Sequence, residues 1–352
     1  MRKIKKEKQE GLPAPPVQEK ITVEGIKEAA QKSFGEELIK TLGDERVTVK
    51  SREGWSWGCP SLNYICTGDP FVGIVKGRIY ELFGDYGSGK TTLCLHAVAE
   101  TQCIGGIAAF VDAEHAMDVV YAKALGVDLS TLLFSQPDYG EQAIDIVMTF
   151  IRLGVNLIIV DSVAALTPLA EVEGRTDKEH MGTHARLMGK AMRKMPSVAS
   201  RSKAAIIFTN QTRYKIGAVF GNPITTTGGQ ALKFAASVRM DCFLSAAADK
   251  SIKGASGVLG SEEDVRLGSQ MRVKTVKNKF FAPYRQTEIP LYYGKGLDTA
   301  LDWFRFAEER GYITKGKGCY KIPQQKGKEL RIGYDKLNEN VPMIQKIIEN
   351  KQ

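Results

Sequence analysis

The chain has 352 residues, 43% of them hydrophobic and 25% charged, with a formal net charge of +9. This composition is ordinary for a globular protein with one large domain or two to three smaller ones. No apolar run is long enough to span a bilayer and no hydrophobic segment follows the Lys-rich N-terminus, so we expect a cytoplasmic protein without membrane or secretory segments.

The six cysteines and the net charge add two further expectations. The cysteines show no CxxC spacing and several lie in apolar stretches, which predicts reduced core residues. The positive charge favours a polyanionic partner, although a solvated basic surface is the simpler explanation.

The N-terminal part of the chain precedes any recognisable core. Residues 1–20 are rich in Lys, Glu and Pro, which predicts a disordered basic tail. An apolar stripe from about Ile21 to Leu42 predicts a helix. Residues 21–54 are therefore interpreted as an N-terminal helical oligomerisation segment, whose stripe packs on its own domain or on a neighbouring subunit.

A glycine-rich stretch between a predicted strand and a predicted helix carries the most specific motif. Its residues fit the P-loop pattern and are Gly84, Asp85, Tyr86, Gly87, Ser88, Gly89, Lys90, Thr91 and Thr92. In this pattern backbone N–H groups cradle phosphates, Lys90 reaches the β- and γ-phosphates, and the Thr91 hydroxyl binds Mg²⁺. Because both flanks have the right pattern, a chance glycine-rich turn is the weaker interpretation.

Strands and helices alternate after the P-loop. The predicted strands cover residues 79–83, 107–111, 132–135, 157–160 and 205–208. Several are almost wholly apolar, which predicts an α/β fold with a doubly wound, mostly parallel sheet covered on both faces. We assign residues 55–296 to this core and 297–352 to a small C-terminal α/β domain.

Polar residues follow three of these strands, where the site of a parallel sheet is expected. Asp161 follows four apolar residues, as in a Walker-B carboxylate aimed at Mg²⁺, but it also fits a helix cap. Glu114 is placed to polarise an attacking water, or is a surface charge. Gln211 is placed to sense the γ-phosphate, or is an ordinary loop glutamine.

Two long polar loops, at about residues 169–183 and 212–227, follow the same strands. Loops of this length are functional or disordered, and the second has the glycines, hydroxyls and cations of a phosphate binder. Between them, a predicted helix places Arg186, Lys190, Arg193 and Lys194 on one face. A solvated helix face is the usual explanation of such a run.

Three long stretches resemble the RecA recombinase family of bacteria and phages. They are residues 110–118 (FVDAEHAMD), 160–168 (VDSVAALTP) and 220–234 (FGNPITTTGGQALKF), and the resemblance extends from about Gly58 to Gly296. It implies a RecA-like ATPase core with ATP and Mg²⁺ as cofactors. It also implies that both loops bind DNA.

The resemblance also implies roles for individual residues. Glu114 corresponds to the catalytic glutamate and Gln211 to the switch between ATP and the second loop. Asp118 and Tyr121 match the adenine side, Tyr293 matches the base-stacking aromatic, and Lys277 and Lys279 match lysines that reach the γ-phosphate of the adjacent subunit. The positions that match the family's primary DNA site are Met181, Arg186, Arg193, Arg213, Lys215, Ile216, Gly228, Gly229 and Gln230, and those that match its weaker second site are Arg272 and Lys274.

The implied function is ATP-dependent homologous recombination. The chain would form helical filaments of itself on single-stranded DNA, pair homologous double-stranded DNA and exchange strands in recombination and repair, with single-strand-binding and mediator proteins as further partners. The P-loop interior, Asp85 to Gly87, departs from the Pro-Glu-Ser more usual in the family, and similarity fades after Gly296. These departures keep open a filament-forming DNA-binding ATPase without strand exchange. The loop matches argue against a third possibility, a ring helicase.

Overall fold

The structure is a computed structural model that describes residues 22–35, 53–174, 182–214, 224–245, 251–254, 265–324 and 328–351. The helices are α1 (Val23–Phe34), α2 (Pro60–Thr67), α3 (Lys90–Cys103), α4 (Val119–Ala124), α5 (Gly140–Arg152), α6 (Leu169–Val172), α7 (Thr183–Ser202), α8 (Ala231–Ala235), α9 (Thr299–Glu309) and α10 (Leu337–Glu349). The strands are β1 (Gly54–Trp55), β2 (Ile74–Val75), β3 (Ile79–Gly84), β4 (Ala108–Asp112), β5 (Leu133–Ser135), β6 (Leu157–Asp161), β7 (Ala205–Tyr214), β8 (Ile224–Thr226), β9 (Val238–Leu244), β10 (Ser251–Gly254), β11 (Val265–Asn278), β12 (Gln286–Tyr292), β13 (Gly296–Leu297), β14 (Thr314–Gly316), β15 (Cys319–Pro323) and β16 (Glu329–Gly333).

The chain divides into a unit of residues Met1–Ser51 and a unit of residues Arg52–Gln352. In the first, the Thr22 side chain caps α1 by accepting a hydrogen bond from the Gly25 N–H at 3.1 Å. The helix ends at Phe34, because Gly35 takes a φ of 96° that only glycine adopts without strain. The sequence predicted that this helix would continue to Leu42. Residues 36–52 and the predicted tail at residues 1–20 lie outside the described residues.

The second unit is built on a large mixed sheet with the order β13-β12-β11-β9-β3-β7-β6-β4-β5. The strands from β9 to β5 pair in parallel, while β11, β12 and β13 extend the sheet with antiparallel pairs. The predicted mostly parallel α/β sheet is confirmed.

The central parallel strands β3, β4 and β6 are buried on both faces because alternate side chains enter two different hydrophobic cores. Phe110 and Ile159 pack in the core that contains the side chains of α2 and α3. Val111 and Ile158 point the other way, into the core formed with α5 and α7. The continuous apolar runs seen in the sequence therefore serve two layers of helices.

The C-terminal residues form a third hydrophobic core. The antiparallel sheet β14-β15-β16 packs with α9 and α10 around Phe304, Tyr320 and Ile344. Helix α9 begins at Thr299, because Asp298 accepts a hydrogen bond from the Leu301 N–H and caps the helix. Asp302 joins α9 to α2 by accepting hydrogen bonds from Ser61 N at 3.0 Å and Ser61 Oγ at 2.7 Å.

All six cysteines are free thiols. Four are buried, as predicted, but Cys103 is exposed at the end of α3 and Cys319 is half-buried. The prediction of core residues is wrong for Cys103, because α3 presents its last turn to solvent. None of the helices in the described part of the chain combines the length and apolar character needed to cross a membrane.

Candidate functional site

The carboxyl ends of the central strands meet at one edge of the sheet. The register places Gly84 opposite Gln211 where β3 pairs with β7, and Asp112 opposite Asp161 where β4 pairs with β6. This edge gathers three polar clusters that the sequence separates by tens of residues.

The glycine-rich loop connects β3 to α3 as the motif requires. Gly87 and Gly89 have φ values of 67° and 83°, so the loop curls in a conformation that other residues rarely adopt. The Lys90 ammonium donates hydrogen bonds to Gly84 O at 3.1 Å, Asp85 O at 2.8 Å and Ser88 Oγ at 3.1 Å. The loop thus wraps one cation at the N-terminus of a helix, an arrangement suited to phosphate oxygens.

A buried carboxylate lies directly beneath this loop. Asp161 accepts hydrogen bonds from Thr91 Oγ1 at 2.7 Å and Thr209 Oγ1 at 2.5 Å, and it is only 7% exposed. Burial raises the pKa of Asp161, opposed by these two hydrogen bonds and reinforced by the charge of Glu114. A hydroxyl and one carboxylate suit Mg²⁺, which keeps waters and takes further oxygens from a bound phosphate. No group of three or more acidic, His or Cys side chains that could hold a metal occurs in the described ranges.

A chain of side-chain hydrogen bonds runs along the sheet edge from Glu114. Its Oε1 atom accepts from Ser162 Oγ and from Gln211 Nε2, the latter at 3.1 Å. Gln211 Oε1 in turn accepts from Arg213 Nη2 at 2.9 Å. Three residues that were predicted separately for catalysis, nucleotide sensing and DNA contact are therefore connected to one another by hydrogen bonds.

The side chains of Lys90, Asp161, Glu114 and Gln211 face one cavity of about 650 Å³, within the size range of small-molecule sites. Of the predicted residues, the cavity wall includes Tyr86, Gly87, Ser88, Gly89, Lys90, Thr91, Thr92, Glu114, Asp118, Tyr121, Asp161, Gln211 and Tyr293. The Tyr121 hydroxyl lies 3.0 Å from Thr92 Oγ1, and Asp118 caps α4 by accepting from the Tyr121 N–H. Tyr293 is 48% exposed at the rim, as a ring must be to cover a ligand.

The sequence pattern did not predict the apolar part of this wall. Leu95, Leu244 and Leu291 line the cavity, but each lies in an apolar stretch that looks like ordinary core. It also missed Ser162 and Thr209, the partners of the two carboxylates. For Ser162 a signal existed in its position directly after the Walker-B aspartate.

Lys277 and Lys279 do not line the cavity of their own chain. The Lys277 ammonium donates hydrogen bonds to two carbonyl groups of α8, Lys233 O at 2.7 Å and Phe234 O at 2.8 Å. Partial burial and then the charges of Lys279 and Arg239 lower the pKa of Lys277.

The residues that directly follow the two predicted DNA loops lie side by side. Gly228 and Gly229, with φ values of 83° and 73°, pass so close to α7 that an added Cβ would lie 3.2 Å from Met188 and 3.1 Å from Ala185. Helix α7 begins directly after the first loop, so its start and the end of the second loop are in contact. Exposed cations on α7 include Arg186 and Arg193.

The second predicted loop is not irregular at its described ends. Its ends form a hairpin in which β7 pairs with β8 through Thr212 and Thr226, Arg213 and Thr225, and Tyr214 and Ile224. Arg213 and Gln230 are exposed. Met181, Lys215 and Ile216 lie outside the described residues.

The predicted second DNA site lies on β11. Arg272 and Lys274 are half-buried on the same face of the strand, since they are two residues apart. Asp241 pairs with Lys274 in the β9–β11 ladder, and burial raises the pKa of Asp241 while the two cations lower it. The Arg272 guanidinium lies 4.8 Å from the centre of the Phe243 ring.

Together, the strand–loop–helix cradle, the buried carboxylate and the parallel sheet define a P-loop nucleotide-binding protein of the α/β class. The family model described as the RecA N-terminal domain matches residues 21–298. A protein named "Protein RecA" from Thermotoga neapolitana is 44% identical to this chain, over 95% of this chain and 90% of its own length. "Protein RecA" from Thermotoga maritima is 45% identical, over 91% of this chain and 86% of its own length. "Protein RecA" from Acinetobacter baylyi is 45% identical, over 91% of this chain and 87% of its own length.

The chain belongs to the RecA family. It is accordingly a DNA-dependent ATPase of the class that acts in recombination and repair, and it binds nucleotide and DNA and forms filaments. The resemblance noted from the sequence is confirmed.

Proposed function

We propose that this chain assembles on single-stranded DNA as a helical filament, pairs it with homologous double-stranded DNA and exchanges strands while hydrolysing ATP. Family membership supports the class of activity. The observation that best supports the site assignment is the chain of hydrogen bonds from Glu114 through Gln211 to Arg213. This chain links the nucleotide cavity to the second loop.

The cavity fits ATP with its phosphates along the glycine-rich loop. Lys90, now bonded to the loop's own carbonyls, is placed to donate to β- and γ-phosphate oxygens instead. Mg²⁺, when bound, neutralises charge that develops on these phosphates, and Thr91 and Asp161 are the residues that would hold it. Tyr293 would stack on the base, with Asp118 and Tyr121 on the adenine side.

For hydrolysis we assign Glu114 as the residue that orients and polarises the attacking water. Ser162 and Gln211 both donate to its Oε1 and so fix the carboxylate in place. Lys277 and Lys279 are assigned to the neighbouring subunit's γ-phosphate, since neither reaches the cavity of its own chain. Cations supplied in trans would tie hydrolysis to filament assembly.

The DNA contacts are assigned to the two loops and the start of α7. The primary set is Met181, Arg186, Arg193, Arg213, Lys215, Ile216, Gly228, Gly229 and Gln230, and the second, weaker set is Arg272 and Lys274. Contacts of cations to phosphates carry no sequence information, so homology would be read by base pairing between strands. We also propose that the protein acts in the cytoplasm, with single-strand-binding and mediator proteins as further partners.

A second candidate function is a filament-forming DNA-binding ATPase that does not exchange strands. It is favoured by Asp241, which lies opposite Lys274 in the β9–β11 ladder and whose carboxylate offsets part of the charge of Arg272 and Lys274. A weakened second site would hold an incoming duplex poorly. Strand exchange between circular single-stranded and linear duplex DNA separates the two candidates, because only the recombinase forms joint molecules.

The coupling assignment is tested by Gln211→Ala, with Gln136→Ala as the matched control. Gln136 also follows a strand at this edge and donates to Asp112 at 3.0 Å, but it does not touch Glu114 or the second loop. We expect Gln211→Ala to bind nucleotide and lose DNA stimulation of ATP hydrolysis, while Gln136→Ala keeps it. Equal DNA stimulation in Gln211→Ala and the parent protein would contradict the switch role.

A further inference from the structure

Next to Gln211 lies a second hydrogen-bonded network, made of the buried Glu81 and Asn210 and the half-buried Thr227 and Arg239, which we call the Asn210 clasp. Glu81 and Asn210 are both 0% exposed, and they sit on the adjacent strands β3 and β7. None of these four residues lines the nucleotide cavity.

The Asn210 amide uses every hydrogen bond it can make. Its Nδ2 donates to Glu81 Oε1 at 3.0 Å and to Thr227 O at 3.1 Å, and its Oδ1 accepts from Gln211 N at 2.9 Å and Thr227 Oγ1 at 2.5 Å. A backbone N–H can only donate and a carboxylate can only accept, so Gln211 and Glu81 fix which way the amide faces. A buried amide satisfied on all sides holds a single orientation.

The other end of the network anchors the carboxylate. Arg239 Nε lies 2.5 Å from Glu81 Oε2, and the Arg239 guanidinium lies 4.8 Å from the centre of the Phe83 ring. Lys277 follows on the neighbouring strand, paired with Arg239 in the β9–β11 ladder. A carboxylate this deeply buried depends on both partners, because removing either leaves an uncompensated group.

The clasp joins the two ends of the second loop. Thr227 follows β8 and Asn210 precedes the β7 residues that pair with it, so one side chain ties both strands of the hairpin just below its first pair. The same side chain holds the backbone N–H of Gln211, from which the switch side chain reaches Glu114.

We propose that Asn210 is a positioning residue for ATP–DNA coupling, held by Glu81 and acting through Gln211 and Thr227. When both ends of the second loop are fixed to the sheet, a displacement of the Gln211 side chain also moves Arg213 and the hairpin. Without the clasp, the ends of the loop move instead, and the displacement does not reach the hairpin. This inference rests on the proposed DNA-coupled ATPase and adds residues to it that do not line the nucleotide cavity.

The first test is the pair Thr227→Val and Thr227→Ser. Valine keeps the shape and removes the hydroxyl that donates to Asn210, whereas serine keeps the hydroxyl. We expect Thr227→Val to lose about fivefold or more of the DNA stimulation of ATP hydrolysis, in the range of typical coupling between sites, and Thr227→Ser to retain it. Equal losses in both variants, or no loss in Thr227→Val, would overturn the proposal.

The second test is the pH profile of Asn210→Asp. The new carboxylate oxygen would stand 3.0 Å from Glu81 Oε1, and two carboxylates this close do not both stay ionised. The other charged groups facing Glu81 are Arg239 from β9 and Lys277 from β11. Since a protonated carboxyl at 210 donates to Glu81 again, we expect DNA stimulation, relative to the parent protein, to recover as the pH falls from about 8 to about 6.

Asn63→Asp is the matched control for burying an extra carboxylate. Asn63 is also 0% exposed and also bonds backbone groups, accepting from Trp57 N at 2.9 Å and donating to Pro70 O at 2.8 Å. We expect it to lower the unfolding temperature and leave DNA stimulation intact. A pH-independent loss in Asn210→Asp, or the same loss in Asn63→Asp, would assign the effect to general destabilisation and refute the clasp. If the parent protein itself shows no DNA stimulation, the proposed function fails instead.

Discussion

Asp302 offers a sharp quantitative test, because it is a carboxyl group buried at the junction of α9 and α2. Its side chain is 2% exposed and accepts hydrogen bonds from the backbone and hydroxyl of Ser61. Burial raises the pKa of Asp302 from 3.8 to about 6, opposed by the Ser61 hydrogen bonds and by Arg305. The perturbation we consider is Asp302→Asn, which keeps the shape and removes the charge.

The magnitude follows from linkage between protonation and folding. Since the pKa is higher in the folded state, that state binds more protons than the unfolded chain between about pH 4 and pH 6. The free energy of unfolding therefore falls as the pH rises through this window and is level above it. A rise in pKa from 3.8 to about 6 corresponds to about 3 kcal/mol at 1.36 kcal/mol per pH unit.

Asparagine has no such titration and can pair with Ser61 through one acceptor and one donor. We therefore expect Asp302→Asn to match the parent protein near pH 4 and to exceed its free energy of unfolding by about 2–3 kcal/mol near pH 7.5. Urea unfolding at a series of pH values measures this directly. Asp145→Asn, on the exposed face of α5, is the control and should leave the pH dependence unchanged. A constant difference between parent and Asp302→Asn across the window would refute the reasoning.

Three further predictions test the site and the fold. Lys90→Ala should lose nucleotide-dependent DNA binding but unfold at the same temperature as the parent protein. The reason is that the Lys90 ammonium forms hydrogen bonds only to atoms of the glycine-rich loop. Normal strand exchange by this variant would refute the P-loop assignment. Arg213→Ala should weaken single-stranded DNA binding and lower the salt slope of log K by roughly 0.7, one phosphate contact, and an unchanged slope in a fluorescence titration would argue against that contact. Gly296→Ala should lower the free energy of unfolding by at least about 1–2 kcal/mol, because alanine is strained at the positive φ of this position. The loss should be larger because the new Cβ would lie 2.6 Å from His96 Nε2. A urea midpoint equal to that of the parent protein would contradict this prediction and show that β13 can shift.

The sequence predicted the central sheet well because its information is local. The strand before Gly84 and the helix after Lys90 follow from apolar spacing, and the glycines leave few alternatives for the turn between them. The helix from about Ile21 was predicted too long, because the apolar stripe continues past Gly35 and the pattern alone does not weigh one glycine against it.

Recognition of the family supplied what spacing could not. Tyr293 lies far from Thr91 in the chain, and no periodicity connects them, yet both line one cavity. The role predicted for Lys277 also came only from the resemblance, because the pattern of β11 alone presents this residue as an ordinary strand lysine.

By itself the sequence determined the glycine-rich cradle, the parallel strands and the placement of polar residues at their ends, because each depends on neighbours within a few residues. Only the tertiary structure decided that Thr209 would hold Asp161, that Ser162 and Gln211 would share one oxygen of Glu114, and that Asn210 would tie Glu81 to Thr227. These contacts join strands that are adjacent in the sheet and distant in the chain. They depend on strand order and register, which the burial of side chains on both faces of the sheet sets for the whole molecule at once.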